Sequence, residues 1–306
     1  MADSVGSKMI LSEFANGMYM QTKRGLRGST LRTYLSTVRN HIAPHMGHVE
    51  LADIDYAMVQ ETIYLCASRH IGKDVHITLR GILTVAVHMG LLSHNVAECD
   101  FVYPERIEPP RSTGAIVATF AEHRPILERA QDVPRIELMM IFGLCCGLRK
   151  GEIFGLEWQD IDLSAKEINI YQSYTCGLGG PTLHPPKSKM GTRTIPLPKY
   201  ACARLAELHQ GKGIVFPGRK RNRENPTSAS NRLRTWFTKN PDLPQVTLFS
   251  CRHSFATACV LAGIPLEHIS AWLGHCSVYV TRKAYVKLVL VDLHKDVSKI
   301  DAAYEL

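Results

Sequence analysis

Gly147-Leu148-Arg149-Lys150-Gly151-Glu152-Ile153 is the stretch on which the reading of this chain turns. An apolar run over residues 135–144 has helical periodicity and ends near Gly143 and Gly147. Arg149 follows that glycine turn and stands at the start of a further helix, where a guanidinium and backbone N–H groups together suit an anion. Glu152 lies three residues on, within reach to orient the arginine. Downstream, residues 167–171 and 193–197 alternate like short strands, separated by a Gly/Pro-rich stretch over 177–186. Helical patterns return at 200–208, 231–237, 250–261 and 265–273, the last two stopped by Gly263 and Gly274. Ser277 is placed to cap a final helix containing Tyr285. The pattern predicts a mixed α+β domain.

Upstream the chain reads as helix almost throughout residues 8–100. Ile10, Leu11, Phe14 and Met18 mark one helix, and Ser29 is placed to cap a second, through Leu31, Tyr34, Leu35 and Val38, broken by Pro44 and Gly47. Asp55 suits the cap of a third. Asp74 suits that of a fourth, through Leu79, Ile82, Leu83 and Ala86, ending at Gly90. Four helices with short connections predict a small bundle. Pro104, Pro109 and Pro110, interspersed with charged residues, mark an extended connector. The expected organisation is therefore a helical domain over 1–103, a linker over 104–116 and a mixed domain with a C-terminal tail over 117–306. The fold class is mainly α with a small β-sheet.

The composition suits two globular domains: 45% of residues are hydrophobic, and no low-complexity tract or internal repeat occurs. The 36 Lys and Arg against 28 Asp and Glu give a net charge of +8, pointing toward a polyanion. The start lacks an apolar signal segment, and no run of about 18 apolar residues occurs, so neither secretion nor a membrane span is expected and the location is read as cytoplasmic. Nine cysteines without a Cys-x-x-Cys pair, and fourteen histidines without a ligand-spaced acidic pair, argue for reduced thiols and against a metal site. No cofactor is expected.

Cleavage of a phosphodiester without a metal needs a nucleophile, cations on the non-bridging oxygens and an acid for the leaving oxygen. Three segments supply candidates. They are the Arg149 stretch, Cys251-Arg252-His253-Ser254-Phe255-Ala256-Thr257 in the first turn of an apolar helix, and Leu273-Gly274-His275 with Tyr285 ten residues later. Taken singly, each residue has a plainer reading. Arg149 or Arg252 would be a capping arginine, His275 a cation at a helix end, and Tyr285 a half-buried core tyrosine. Their order within one domain favours the chemical reading.

With these residues the chain resembles the tyrosine recombinases, also called phage integrases. That family has a Gly-Leu-Arg-x-x-Glu segment, a His-x-x-Arg-His segment, a Leu-Gly-His segment and a tyrosine nine or ten residues further on. The likeness extends over nearly the whole chain. The N-terminal helices resemble the family's SAM-like core-binding domain, and the second part resembles its catalytic domain. The resemblance implies Arg149, Arg252 and His275 as phosphate ligands and Tyr285 as the nucleophile. It also implies a general-acid lysine on a β-hairpin. Lys187, which follows Pro186, fits that place, with Lys189 as its rival. Tyr279, four residues past His275, is too close for the pattern. One position departs from it: Phe249 stands where the family has its histidine, and the remaining set is expected to tolerate the loss.

The resemblance further implies a site-specific recombinase that joins and cuts double-stranded DNA recombination sites through a 3′-phosphotyrosyl intermediate, as a homo-tetramer on two sites. Integration and excision of a mobile element is the preferred role; an accessory DNA-bending factor is left open. Alternatives are chromosome dimer resolution by the same chemistry, type IB topoisomerase-like relaxation, and a non-enzymatic DNA-binding descendant. The helices begin near Lys8, which leads one to expect a compact enzyme acting on simple sites. Arg219, Lys220, Arg221, Arg223, Arg232 and Arg234 are expected to form a phosphate-contacting face, as are Arg24, Arg27, Arg32 and Arg39 in the first domain. Leu290, Leu293, Val297 and Ile300 repeat helically and are expected to pack on a neighbouring subunit.

Overall fold

The computed structural model describes residues 9–105, 116–117, 119–186, 189–219 and 222–289, with the backbone alone for 189 and 284–289. The expected tail over 290–306 and most of the linker lie outside the described residues. The chain divides into two compact units, Met1–Arg111 with Gly177–Gly180, and Ser112–Cys176 with Pro181–Leu306. The architecture is mainly helical, with an N-terminal helical unit and a mixed α+β unit. No helix among the described residues is long and apolar enough to cross a membrane.

In the first unit the apolar periodicity is buried as the sequence requires. Leu11, Phe14, Tyr19, Val38, Ile42, Ile63, Leu79, Ile82, Leu83 and Ala86 form one core. Asp55 caps Tyr56–Tyr64, its carboxylate accepting from the Met58 N–H at 2.8 Å. Three expected boundaries differ. The second helix begins at Gly28, after Arg27, so Ser29 lies inside it. Pro44 does not break that helix. The preceding turn widens to a π-turn over Val38–Ile42, and the next segment, Ala43–Met46, carries the proline at its start, where no donor is needed. The fourth helix runs Arg69–His88 from an Ser68 cap, so Asp74 is interior to it. Ser68 won because its hydroxyl meets the Ile71 N–H and adds a turn and a half to the apolar face.

The second unit opens with a helix that periodicity alone did not reveal, Phe120–Ala130, where Thr119 and Glu122 form a reciprocal capping box. Pro134–Met140 continues into a π-turn, Ile141–Cys145. The strands β1 (Ile161–Asp162), β2 (Glu167–Ile170) and β5 (Arg193–Pro196) form an antiparallel sheet in the order β1-β2-β5. β2 and β5 pair Ile168 with Ile195 and Ile170 with Arg193. The Gly/Pro-rich stretch, read only as the separator of two strands, contributes to a two-stranded sheet of β3 (Ser173–Gly177) and β4 (Gly180–His184). The intervening turn uses Gly179 and Gly180 at positive φ, so the glycines shape a hairpin rather than end structure. Pro226–Thr238 starts five residues earlier than expected, capped by Asn225.

The core of this unit gathers Phe142, Phe154, Trp158, Phe216 and Phe237 with Ile168, Ile170 and Ile195 from the sheet. A smaller cluster of Phe255, Ala256, Cys259, Ile269 and Leu273 fastens Leu248–Leu261 onto Leu266–Leu273. In the first unit, Leu79 is fully buried whereas Ile77 on the same helix is 59% exposed. Leu79→Ala should therefore lower the unfolding free energy of its unit by about 2–5 kcal/mol in urea titrations, and Ile77→Ala should change it little.

Candidate active site

The site is built around the end of the helix Leu266–Leu273. Gly274 there adopts a left-handed conformation, φ 62° and ψ 48°, and its N–H bonds the Ala271 carbonyl. The His275 N–H reaches back to the Ser270 carbonyl at 3.1 Å, completing a Schellman end. This closure leaves the carbonyls of Trp272, Leu273 and Gly274 pointing away from the helix, and each accepts from an arginine of a different element. Arg193 of β5 donates through Nε to Trp272 at 2.6 Å, Arg252 through Nη2 to Leu273 at 2.6 Å, and Arg149 through Nη2 to Gly274 at 3.0 Å. The partial negative charge of a helix C-terminus favours such cations.

Glu152 is the shared anion. Arg149 is the N-cap of Lys150–Gly155; its backbone N–H and its Nη1 both donate to Glu152, at 2.8 and 2.9 Å. Arg193 donates Nη1 and Nη2 to the two Glu152 oxygens at 3.0 and 2.9 Å, and Arg252 Nη1 lies 4.0 Å away. Burial pushes the Glu152 carboxyl up, but the Arg193 hydrogen bonds and the Arg193 and Arg149 charges outweigh it and hold the group below the usual carboxylate range. The Glu152 side chain is 4% exposed and Arg193 7%, while Arg149 is 42% exposed. Arg149 is thus the most exposed of the three guanidiniums, with Arg252 at 12%. Arg252 sits in the second turn of Leu248–Leu261 rather than the first, and its Nη1 also donates to the Gly147 carbonyl at 2.9 Å. Gly147 has φ 64°, and a Cβ there would lie 2.3 Å from the Phe255 ring, so the turn before Arg149 requires glycine.

Three guanidiniums against one carboxylate leave two positive charges in this pocket. His275 feels them. Its burial, then the charges of Arg252, Arg149 and Arg193, push its imidazole down to about 4, so it is neutral at pH 7. The His275 Nδ1 shares a 2.7 Å hydrogen bond with Thr281 Oγ1, and Thr281 is fully buried on the helix Val278–Val289. Ser277 accepts from the Tyr279 N–H at the start of that helix, as expected of its cap. Tyr285 lies one helical turn beyond Thr281; its side chain is outside the described residues, as is Lys187. Arg149, Arg252 and His275, far apart in sequence, therefore meet.

Other candidates fare differently. Phe249 is 61% exposed, with its ring 4.6 Å from that of His253. Burial, then the Arg252 charge, pushes the His253 imidazole down. Arg223 is turned away from a phosphate-contacting face: its side chain is 8% exposed, pairs with Glu157 and donates to the Leu156 carbonyl at 3.0 Å. Among the described residues, no three His, Cys, Asp or Glu side chains converge to hold a metal ion. Sequence reasoning passed over Arg193 and Thr281. Arg193 carried a signal, since it alternates with Ile195 and Leu197 on the core side of a strand, where a charge demands partners.

A model described as the phage integrase family matches residues 119–289, more than half of the chain, and the chain belongs to that family. A tyrosine recombinase XerC-like protein of Caldanaerobacter subterraneus subsp. tengcongensis is 28% identical over 183 residues, spanning 51% of this chain and 46% of that protein. The tyrosine recombinase XerC of Rhodospirillum centenum is 28% identical over 294 residues, spanning 87% and 80%. The chain thus spans less than half the length of the first of these relatives and most of the second. Among solved structures, the Tn1549 transposon integrase in complex with transposon right end DNA superposes with a TM-score of 0.76 at 16% identity, over 90% of this chain and 95% of that one. A lambda integrase tetramer bound to a Holliday junction gives 0.64 at 19%, over 91% and 78%. These likenesses establish the fold, and the family is one of DNA recombination and integration.

Because His275 is held neutral, its ring resonances should titrate near pH 4 rather than 6.5 in NMR spectra. Arg252→Met should raise that midpoint. Between those two values the unfolded chain binds a proton the folded one refuses, so His275 contributes stability above pH 6.5 that is lost as pH falls toward 4.

Proposed function

We propose that this chain cuts and rejoins double-stranded DNA at specific sites with Tyr285 as the nucleophile. The observation that carries this reading is the gathering of Arg149, Arg252 and His275 at one helix end, with a net positive charge and one helix turn of chain separating Thr281, the His275 partner, from Tyr285. Such a pocket suits a phosphodiester monoanion. Arg149 and Arg252 would hold its two non-bridging oxygens, and neutral His275 would donate a hydrogen bond that strengthens as charge develops. The Tyr285 phenol gives up its proton to solvent water and its oxygen forms a bond to phosphorus as the bond to the 5′ oxygen breaks. Lys187, or Lys189, gives that oxygen its proton. The product is a 3′-phosphotyrosine and a free 5′ hydroxyl, and attack by a partner 5′ hydroxyl reverses the step without an external energy source.

The role this favours is integration and excision of a mobile element, by a homo-tetramer on two recombination sites. The structural likeness to a transposon integrase and to a tetrameric integrase on a Holliday junction supports it. Arg232, Arg234 and the first-unit arginines Arg24, Arg27, Arg32 and Arg39 would add affinity through phosphates rather than sequence choice. Phe249 cannot donate to a phosphate oxygen, so the arginine pair, the lysine and His275 carry the stabilisation alone.

A nicked suicide duplex bearing the element end tests the reading. The wild-type chain and Tyr279→Phe should form a covalent protein–DNA adduct on denaturing gels, and Tyr285→Phe should form none. An adduct that survives Tyr285→Phe would overturn the assignment.

A further inference from the structure

Arg193 holds a place the reaction as described does not use. It is the first residue of β5, opposite Ile170, and strand alternation turns its side chain to the core face with Ile195. A guanidinium buried to 7% exposure is costly unless every donor direction is met. Here four of its five N–H groups are met, by three elements. Nε donates to Trp272 of the Schellman end, Nη1 to Gly191 and Glu152, and Nη2 to Glu152. Gly274 leaves the room: a Cβ there would sit 2.9 Å from Arg193 Nη1 and 3.0 Å from its Cδ.

We propose that Arg193 is a positioning residue, one that fixes Glu152 and the end of Leu266–Leu273 in a single geometry and thereby aims Arg149 and His275 at the substrate phosphate. Arg193 itself meets no substrate. Its two bonds to Glu152 take one lobe of each carboxylate oxygen. Arg149 then keeps a single side-chain bond to Glu152 and a second to Gly274, and its exposed edge remains for a ligand. With Arg193 gone, Glu152 would keep Arg149 as its nearest counter-charge and draw it inward, and the Trp272 carbonyl would lose its donor. Both changes move the phosphate ligands and leave the DNA-facing surface intact. Lysine cannot substitute fully, because one ammonium on a flexible stem cannot span Trp272, Gly191 and both Glu152 oxygens at once.

The inference rests on the strand-transfer reading above, and one experiment separates the two. Adduct formation on the suicide duplex is followed in single turnover at saturating DNA, alongside DNA affinity by titration, for wild type, Arg193→Met, Arg193→Lys and Glu152→Gln with and without Arg193→Met. Arg193→Met should slow the adduct step about tenfold to a hundredfold while affinity stays within about twofold. Arg193→Lys should fall between it and wild type. In the Glu152→Gln background the same Arg193→Met change should cost clearly less than it does in wild type, because the route through Glu152 is already lost and only the hold on the Trp272 end remains to be removed. A wild-type rate in Arg193→Met, or a full additive loss on top of Glu152→Gln, overturns the proposal. If Arg193→Met does not fold, Arg193→Lys decides, and a wild-type rate there overturns it. A wild-type chain that forms no adduct overturns the strand-transfer reading itself.

Discussion

A helix that ends inside a protein leaves carbonyl oxygens that must find donors, and the rest of this site follows from how one such end is satisfied. The Schellman closure at Gly274 gives two of these carbonyls, Ser270 and Ala271, backbone donors and turns three others outward. Three arginines, from a strand, a long helix and a helix cap, take them. Guanidiniums packed so closely repel one another, and the buried carboxylate of Glu152 is what allows them to share the space. The same contacts that end the helix thus assemble a region of positive charge, and the helix end and the arginine cluster depend on one set of bonds.

The electrostatics then sort the members by role. Arg193 is sealed in, Arg252 is nearly so, and Arg149 has an open edge. His275 is neutral because the pocket is already positive and partly desolvated. A neutral imidazole is a hydrogen-bond donor at one nitrogen only, and the Nδ1 bond to Thr281 Oγ1 ties the histidine to the helix that bears Tyr285 and leaves Nε2 as the other ring nitrogen. A bound phosphodiester would oppose these charges and raise the histidine's proton affinity, so the group is poised to respond to substrate. Phe249, exposed beside His253, lies on the first turn of the helix whose second turn supplies Arg252, so its loss of a donor does not disturb the arginine framework.

Much of this was legible in the sequence because local chemistry and global fold agree there. Asp55, Gly90, Gly263, Gly274 and Ser277 end or begin helices for reasons visible one turn away. Arg149 and Glu152 lie three residues apart, and their pairing is a local event. What escaped reading was long-range or ambiguous. Pro44 reads as a breaker, but a π-turn upstream absorbs it. Residues 177–186 read as a Gly/Pro-rich separator without assigned strands, yet glycines at positive φ are also what a tight hairpin needs. Arg223 reads as one of a basic run, and only the tertiary fold places Glu157 against it. Arg193 pairs with Glu152 across 41 residues, a contact that spacing does not announce.

The claim on which the account stands is that Tyr285, carried past this arginine-lined helix end, bonds covalently to DNA. Trypsin places the two rival tyrosines on separate peptides, Tyr279 within residues 253–282 and Tyr285 within 284–287. Mass spectrometry of the digested, nuclease-trimmed adduct reads the answer directly. A nucleotide attached through its 3′ phosphate to peptide 284–287 is the expected result. The same mass on peptide 253–282, or on neither, would contradict it.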